Sequence, residues 1–478
     1  MLRLHNTASH KLEKFKPIHS GQVNMYTCGP TIYDFAHIGN LSVYLLSDLL
    51  KKYLQFSGYK VLDVMNFTDV DDKTIKASHA QGVPLSQYTQ KFGQAILDDF
   101  DKLKISRPKV ICEATKHIPD MIKLIQTLLD KGYAYQAKDK SVYYKISAFK
   151  DYGKFAGINK RQLKTGASGR INSDEYQKDN AGDFVLWKAW DKDDGQVFWD
   201  SPFGKGRPGW HIECSAMSMK YLGPSFDIHL GGEDLIFPHH QNEIAQSEGA
   251  TGQKFVNYWL HHGFLRMSQK KMSKSLGNLY TLSQILEKVP NPMAFRYLIL
   301  TSHYRKALNF SFDILQSAQN TLDKFSNFIA RLRQQQDKSL DTTDNQAKTQ
   351  QLIDIALTAF TDFMDDDLNT PQAIASLFNF INQINKMIDN AQVGPIVAQQ
   401  VLDFLKKIDK VWAFIFPDKK FDPKNEDATQ IGNIIKQRDL ARQNQDWSKA
   451  DNLKQQLDQM GVEIQDNPTG TSWKWKKQ

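Results

Sequence analysis

The spacing of apolar residues near the start of the chain predicts a strand, a helix and a second strand. Residues 23–27 form a short apolar run that is typical of a buried strand, and residues 41–59 carry apolar side chains at helical intervals. Gly58 is placed to end this helix, and residues 61–65 predict another buried strand. This order is a βαβ unit, so both strands are expected in one parallel sheet.

The residues after these strands are candidates for ligand binding, because parallel sheets bind ligands beyond the carboxyl ends of their strands. His37 follows the first strand, and residues 66–72 follow the second. Gly39 is expected at the turn into the helix, where backbone N–H groups face an anion. The acidic residues within 66–72 resemble a metal site, but we interpret them as strand-end structure near the substrate.

The pattern changes further along the chain. Residues 116–205 are rich in Lys, Asp and Gly, which predicts an insertion between two halves of the sheet. After about residue 317 the apolar residues recur at helical spacing without strands, which predicts a helical bundle. One of its helices is expected to begin at Thr370-Pro371, with Thr as the cap and Pro in the first turn. Residues 417–427 are charged and contain proline, which predicts a linker to a last small domain.

Composition limits the class of protein and of partner. The 478 residues suffice for about three domains of roughly 100–200 residues each. The hydrophobic fraction of 41% is ordinary for a soluble protein, and no apolar run approaches the ~18 residues of a membrane span. Residues 1–18 lack the apolar core of a secretory signal, so a cytoplasmic location is expected. The net charge of +8 favours a polyanionic partner, although charge alone indicates only easy nonspecific association.

The cysteines are candidates for metal binding. Cys28, Cys112 and Cys214 are too few and too scattered for a disulfide framework, and each could be a ligand or a buried small side chain. His239 and Glu243 are four residues apart, which on a helix places both side chains on one face. Two thiolates, an imidazole and a carboxylate suit zinc. Spacing alone does not select four ligands, and buried thiols with a helix-capping histidine remain an alternative.

A polar segment is a candidate for ATP chemistry. Residues 271–275 read Lys-Met-Ser-Lys-Ser. Their ammonium and hydroxyl groups could stabilise the negative charge that develops on phosphates as a nucleotide bond breaks. This segment and His37-Ile38-Gly39-Asn40 resemble the KMSKS and HIGH signatures of class I aminoacyl-tRNA synthetases, which activate an amino acid with ATP and then esterify tRNA. The resemblance implies catalytic roles for His37, Lys271 and Lys274, and nucleotide contacts for Gly39, Asn40, Gly231, Gly232, Asp234 and Lys274.

Two of these nucleotide contacts leave alternatives open. Asn40 stands where the signature has its second histidine, and it can donate a hydrogen bond but cannot carry charge. Asp234 could accept from ribose hydroxyls or could cap a helix.

Three segments resemble the zinc-site segments of the cysteinyl-tRNA synthetase family: Cys28-Gly29-Pro30-Thr31, residues 209–217 and residues 237–246. The resemblance implies one zinc ion per chain. It also implies that Trp210 forms a wall of the substrate pocket, although a core tryptophan is an equal alternative, and that Thr68 contacts the substrate. His240 is expected to point about 100° away around the helix and is left out of the ligand set. The implied ligands are Cys28, Cys214, His239 and Glu243.

The end of the chain resembles the anticodon-binding region of the same family. The matching residues are Arg442, Trp447, Asp451 and Asp466. Arginine can donate to a guanine edge, aspartate can accept from base amino groups, and tryptophan can stack on an unpaired base. An amphipathic helix with solvated charges is the alternative. The acidic run Asp365-Asp366-Asp367 is expected to be a solvated helix end, because carboxylates repel phosphate.

Together these features predict an α/β protein with a Rossmann-type class I synthetase core. The expected substrates are L-cysteine, ATP with Mg²⁺ and tRNA(Cys). The protein is expected to be a monomer and not to bind membranes. Two rivals stay open, a ligase that joins cysteine to an amino-sugar pseudodisaccharide and a noncatalytic tRNA-binding paralogue. The predicted divisions are 1–115 and 206–268 for the halves of the catalytic domain, 116–205 for the insertion, 269–316 for the KMSKS loop and stem-contact region, 317–416 for the bundle, and 428–478 for the anticodon-binding domain.

Overall fold

The computed structural model divides into two compact units, Met1–Ile415 and Phe416–Gln478, which are described separately. Side chains are described except at 270–271, 465–467, 470 and 472–475, where the backbone alone is described. The described residues are 1–158, 182–267, 270–271, 279–335, 341–416, 431, 434–435, 437–442, 444, 446–467 and 470–475.

The strands and helices have the following bounds. The strands are β1 (Arg3–Asn6), β2 (Lys11–Lys14), β3 (Gln22–Thr27), β4 (Lys60–Phe67), β5 (Val110–Glu113), β6 (Ala134–Gln136), β7 (Val142–Tyr144), β8 (Phe184–Ala189), β9 (Gly206–Pro208), β10 (Phe226–Gly232), β11 (Val256–His262), β12 (Leu265–Met267), β13 (Lys270–Lys271), β14 (Leu308–Phe310), β15 (Val462–Asn467) and β16 (Gly470–Trp475). The helices are α1 (Ile38–Phe56), α2 (Asp72–Gln81), α3 (Leu85–Lys102), α4 (Ile118–Asp130), α5 (Trp210–Leu222), α6 (Gln241–Thr251), α7 (Leu282–Leu286), α8 (Pro292–Leu300), α9 (Phe312–Arg333), α10 (Thr343–Asp365), α11 (Thr370–Asp389), α12 (Pro395–Trp412) and α13 (Trp447–Gln459).

A five-stranded parallel sheet organises the first unit, in the order β11-β10-β3-β4-β5. The predicted βαβ unit is confirmed, because β3 and β4 pair in parallel and α1 connects them. Gly58 follows the helix with a φ of +91°, a conformation that glycine adopts at little cost. The strands β3 and β10 are neighbours although they are far apart in sequence. Their carboxyl ends therefore open onto one crevice, where ligands of such sheets bind.

Smaller sheets and helices surround this sheet. The antiparallel sheet β6-β7-β8-β9 is built from chain between β5 and α5, and the sheet β13-β12-β14 follows β11. The four helices α9 to α12 come next, and the second unit contains α13 and the antiparallel pair β15-β16. Among the described residues no helix is both long enough and apolar enough to cross a membrane. The α/β fold predicted from the sequence is confirmed.

The predicted cap of α11 is wrong by one residue. Thr370 is the first residue of the helix, and Asn369 is its N-cap, with a side-chain oxygen that accepts from the backbone N–H of Gln372 at 3.4 Å. Pro371 lies in the first turn as predicted. Thr and Asn are both favourable caps, so the residue pattern did not separate the two positions.

Two of the three carboxylates in the acidic run at the end of α10, those of Asp365 and Asp367, are not solvated as predicted. Asp367 is 3% exposed, and its carboxylate accepts from the Tyr304 hydroxyl at 2.6 Å and from Arg305 Nε at 2.7 Å. Asp365 accepts from the Tyr53 hydroxyl at 2.8 Å. The expectation failed because these partners are far from the run in sequence. The carboxylates join α10 to α1 and to the chain between α8 and β14.

Candidate functional site

Four predicted ligands come from elements that meet at the crevice between β3 and β10. Cys28 directly follows β3, and its backbone N–H donates to the carbonyl of Leu230 in β10 at 3.0 Å. Cys214 lies in the first half of α5. His239 belongs to an irregular helical turn, residues 236–240, that leads into α6, and Glu243 lies in the first turn of α6.

The side chains of these residues converge on one buried point. One potential ligand atom from each lies within 4.8 Å of all the others. The sulfur atoms of Cys28 and Cys214 are 3.9 Å apart, and His239 Nε2 lies 3.0 Å from Glu243 Oε1. Each of the four residues is 5% exposed or less. This is the geometry of a closed site that a single ion could fill.

Opposite charges stabilise one another within the cluster. Burial alone would raise the pKa of the Cys214 thiol, but its contact with Cys28 and the charge of His239 lower that pKa to about 6. Burial would lower the pKa of His239, but Cys214 and Glu243 raise it to about 10. Burial would raise the pKa of Glu243, but the neighbouring His229 and His239 lower it to about 2. The cluster thus stabilises the thiolate of Cys214 and the carboxylate of Glu243, whereas burial and the neighbouring Cys214 and Glu243 raise the pKa of the Cys28 thiol.

His240 does not point away from this cluster, and that expectation is wrong. Its Nε2 lies 3.3 Å from Cys28 Sγ and 3.9 Å from Glu243 Oε1. Consecutive side chains of a regular helix diverge, but Phe237 in this turn has non-helical backbone angles, and the ring centroids of His239 and His240 are only 5.7 Å apart. The group of Cys28, His229, His240 and Glu243 therefore also satisfies the distances of a metal site.

Three further histidines surround the cluster and were missed by the sequence analysis. His229 Nε2 lies 2.9 Å from Glu243 Oε2, and His261 Nε2 lies 2.8 Å from His240 Nδ1. His211 Nδ1 lies 2.9 Å from His239 Nδ1. Burial lowers the pKa of His261 to about 3, so its ring is neutral. A signal was present, because His229 and His261 each sit within an apolar strand, β10 and β11, where histidine is unusual.

Two predicted substrate residues lie beside the cluster. The Trp210 ring is 4.4 Å from the His239 ring between centroids, and Trp210 is 40% exposed, as suits a pocket wall more than a core residue. Thr68 is 1% exposed, and its hydroxyl donates to Glu213 Oε2 at 2.7 Å. Its contact with a substrate stays a prediction.

The first signature forms the N-terminus of α1. His37 is the N-cap, and its Nδ1 accepts from the backbone N–H of Asn40 at 3.2 Å, while the Asn40 side chain accepts from the backbone N–H of His37 at 3.4 Å. Gly39 faces the same ring, since a Cβ there would lie 2.9 Å from His37 Nδ1. Asn40 thus has a structural role in a capping box. This role does not need the histidine that the signature has at position 40.

The predicted adenosine contacts lie at the end of β10. Gly231 and Gly232 are its last residues, and a Cβ on Gly231 would lie 2.8 Å from the His240 ring. Asp234 is exposed and lies within the short 3₁₀ turn Glu233–Leu235, whose N-cap is Gly232. The alternative that Asp234 caps a helix is therefore wrong.

The second signature is described only in part. Lys271 is in β13, whose backbone alone is described, and Lys274 lies outside the described residues. After the second signature the chain lies beside the first, because Thr281 forms a β-bridge with His37.

Three of the predicted anticodon residues lie on or near α13 in the second unit. Trp447 is the first residue of this helix and is 61% exposed. Asp451 is also exposed and lies one turn later on the same face. Arg442 is half-buried. Asp466 is in β15 opposite Thr471, and its side chain is outside the described set.

Comparisons with known families match most of the chain. Residues 14–320 match the model described as tRNA synthetases class I (C) catalytic domain, and residues 359–416 match the DALR domain. The chain is 45% identical to the cysteine–tRNA ligase of Brachyspira hyodysenteriae over 99% of both chains. It is 43% identical to that of Protochlamydia amoebophila, over 99% of this chain and 98% of the relative.

Solved structures share the fold. Mycobacterium tuberculosis methionyl-tRNA synthetase in complex with methionyl-adenylate aligns with a TM-score of 0.63 and 15% identity, over 82% of this chain and 92% of that chain. The Agrobacterium radiobacter leucyl synthetase ternary complex aligns with a TM-score of 0.59 and 12% identity, over 84% and 85%. At these identities the similarity concerns the fold alone.

Proposed function

The chain belongs to the cysteine–tRNA ligase family of class I tRNA synthetases, and we propose that its buried cluster of two cysteines, a histidine and a glutamate holds one zinc ion that selects the substrate by its thiol. As a member of this family it is an enzyme that joins cysteine to tRNA, with ATP and the amino acid as substrates. The observation that carries the zinc proposal is the convergence of four buried ligand atoms within 4.8 Å.

The donor set fits zinc better than other common ions. Cys28 and Cys214 supply sulfur, which calcium and magnesium do not bind in proteins, and His239 supplies nitrogen. The alternative group with His229 and His240 contains one sulfur. We assign the ion to the group with two, because sulfur ligands suit zinc.

A metal would discriminate cysteine from serine better than the shape of the pocket alone. Cysteine and serine differ by one atom, and shape discriminates such small changes by only about 1–3 kcal/mol. When bound, zinc would supply a strong preference for a thiolate over a hydroxyl. Trp210, which is partly exposed beside His239, would exclude water from the substrate side chain.

The ATP-binding residues are proposed to position ATP and to stabilise the charge of its phosphates. Gly39 has no side chain to occupy the space beside the His37 ring, and the positive end of α1 favours an anion there. Lys271 and Lys274 would stabilise the charge of the departing pyrophosphate, with Mg²⁺ as the counterion of ATP. Gly231, Gly232 and the exposed Asp234 would face the adenosine.

The second unit is proposed to read the anticodon of tRNA(Cys), and the enzyme is proposed to act as a monomer. Trp447 is well placed to stack on a base because 61% of it is exposed. Asp451 on the same face could accept from a base amino group, and Arg442 and Asp466 complete the proposed set.

Neither rival function is favoured. The relatives that align over their whole length are named cysteine–tRNA ligase, and the alignment includes the C-terminal region that an amino-sugar ligase is expected to lack. A noncatalytic paralogue is expected to lose the signature lysines, and Lys271 and Lys274 are present.

Cysteine-dependent ATP–pyrophosphate exchange tests this function, with serine as the control substrate. We expect exchange with cysteine, little with serine, and one zinc ion per chain. Chelation of the metal should abolish the preference, and added zinc should restore it. A zinc-free enzyme that still prefers cysteine would refute the role of zinc while leaving the ligase activity intact.

A further inference from the structure

Three buried side chains form a hydrogen-bonded chain beneath the cluster. Asn66 Oδ1, near the end of β4, accepts from the backbone N–H of Gly29 at 2.8 Å. Asn66 Nδ2 donates to Thr68 Oγ1 at 3.2 Å, and Thr68 Oγ1 donates to Glu213 Oε2 at 2.7 Å. We call these side chains the Asn66–Thr68–Glu213 chain. It lies outside both groups of possible metal ligands.

This chain connects the two thiol-bearing residues. Gly29 is the covalent neighbour of Cys28, and Glu213 is the covalent neighbour of Cys214. The two cysteines otherwise belong to separate elements, the end of β3 and the helix α5. The three side chains thus span the space between the backbones that carry the thiols.

The two hydrogen bonds of the Asn66 side chain each have one possible direction. The Gly29 N–H can only donate, so the oxygen of the Asn66 amide faces it and the NH₂ group faces Thr68. The hydroxyl of Thr68 then extends the chain to Glu213 Oε2, 2.7 Å away. Asn66, Thr68 and Glu213 are 1%, 1% and 0% exposed, so water does not replace a lost partner.

The backbone at Gly29 packs closely against the end of β4. A Cβ on Gly29 would lie 1.6 Å from the carbonyl oxygen of Asn66, which only glycine allows. The backbone N–H of Thr68 donates to the carbonyl of Pro30 at 3.0 Å. The position of Cys28 therefore depends on the end of β4, where the Asn66 side chain holds Gly29, as well as on its own backbone bond to Leu230.

We propose that Asn66, Thr68 and Glu213 are positioning residues that set the separation of the Cys28 and Cys214 thiols and thereby the affinity of the site for zinc. This inference rests on the zinc site proposed above and assigns roles to residues that do not touch the ion. Loss of side chains that orient metal ligands commonly lowers metal affinity about 10- to 100-fold.

Substitutions that keep the shape of a side chain but remove its hydrogen bond test this role. Asn66→Asp keeps the shape of the side chain but replaces the amide that donates to Thr68 by a carboxyl group. Thr68→Val removes the hydroxyl at constant shape, whereas Thr68→Ser keeps it. Thr89→Val is a matched control, because Thr89 is a 3% exposed threonine whose hydroxyl donates to the Leu85 carbonyl in α3 at 3.0 Å.

Zinc affinity of the full-length protein is measured by competition with a chelator, and pyrophosphate exchange gives the KM for cysteine and for ATP. We expect Asn66→Asp and Thr68→Val to weaken zinc binding about 10- to 100-fold and to raise the KM for cysteine without changing that for ATP. Thr68→Ser should restore both values. Thr89→Val should leave both unchanged even if its melting temperature falls.

The outcomes separate this inference from the zinc proposal. Wild-type protein without zinc would refute both. Wild-type protein with one zinc, together with a folded Thr68→Val variant of unchanged zinc affinity, would refute the positioning role alone. Equal losses in Thr68→Val and Thr89→Val would also refute it, because they would show a general effect on stability.

Discussion

The backbone N–H of Ile38 donates to the carbonyl oxygen of Tyr280 at 2.8 Å. This bond attaches the start of α1 to the chain that follows the KMSKS segment. The N-terminus of α1 carries the first ATP signature, so residues on the C-terminal side of the second signature are hydrogen-bonded to it. Two segments that are far apart in sequence can therefore serve one nucleotide.

Replacement of Lys274 tests the proposed role of the second signature. Lys274→Ala should slow adenylate formation by roughly 2–4 kcal/mol of barrier, the range for loss of one preorganised charge-stabilising group. Pyrophosphate exchange measures the rate, and Lys324→Ala on the exposed face of α9 is the control. Exchange at the native rate in Lys274→Ala would mean that this lysine is not catalytic.

Replacement of one cysteine tests the metal centre. Cys214→Ser should lose zinc and the preference for cysteine over serine, because the second thiolate sets the affinity of the site. Metal content and exchange with each amino acid are measured. Cys112→Ser is the matched control, since Cys112 is 1% exposed, approaches the Met65 carbonyl at 3.4 Å and lies outside the cluster. Full zinc occupancy in Cys214→Ser would overturn the ligand assignment.

A buried arginine should be a large contributor to stability. Arg296 is 0% exposed, and it donates to Asp48 Oδ2 at 2.6 Å, to the Trp412 carbonyl at 2.6 Å and to the Leu103 carbonyl at 3.0 Å. Burial alone would raise the pKa of Asp48, but Arg296 and Lys52 lower it.

Arg296→Met should reduce the free energy of unfolding by about 3–5 kcal/mol, because it leaves a buried carboxylate without its main partner. The double variant with Asp48→Asn should lose less than Arg296→Met alone. Urea unfolding followed by circular dichroism measures both, and Arg333→Met on the exposed side of α9 should be nearly neutral. A loss below about 1 kcal/mol for Arg296→Met would contradict this account.

The proposed anticodon reader can be separated from the catalytic site. Trp447→Ala should lower kcat/KM for tRNA by roughly 1–3 kcal/mol if the ring stacks on a base, with adenylate formation unchanged. Charging of the cognate transcript is compared with that of a transcript with a changed anticodon, at matched salt. Trp190→Ala, at a tryptophan that is 43% exposed in the first unit, is the control. Equal losses on both transcripts would exclude base reading by Trp447.

The fold was predictable where its signal is local. The apolar spacing predicted β3, α1 and β4, because helix and strand periods are visible within one element. The partners of Asp367 were not predictable, because Tyr304 and Arg305 approach it only in the folded chain. A charge run by itself does not show what packs against it.

The site was predictable only through the family resemblance. Spacing offered His239 and Glu243 as a pair, but nothing local connects them with Cys28 or Cys214. The error over His240 has the same origin. A helical projection assumes a regular helix and gives the direction of a side chain around that helix alone, so it does not show that Cys28 approaches His240.

The dispersal of the proposed ligands along the chain has a consequence for when the metal can enter. Cys28, Cys214 and His239 approach one another only after β10 has paired with β3 and α5 has docked against the sheet. Closing such long loops precedes any gain from the ion, so zinc would be captured late in folding, by a chain that is already ordered. Small zinc domains unfold when a chelator removes their ion. This protein should instead give up its zinc and keep its sheet, because the core of that sheet is built from apolar side chains.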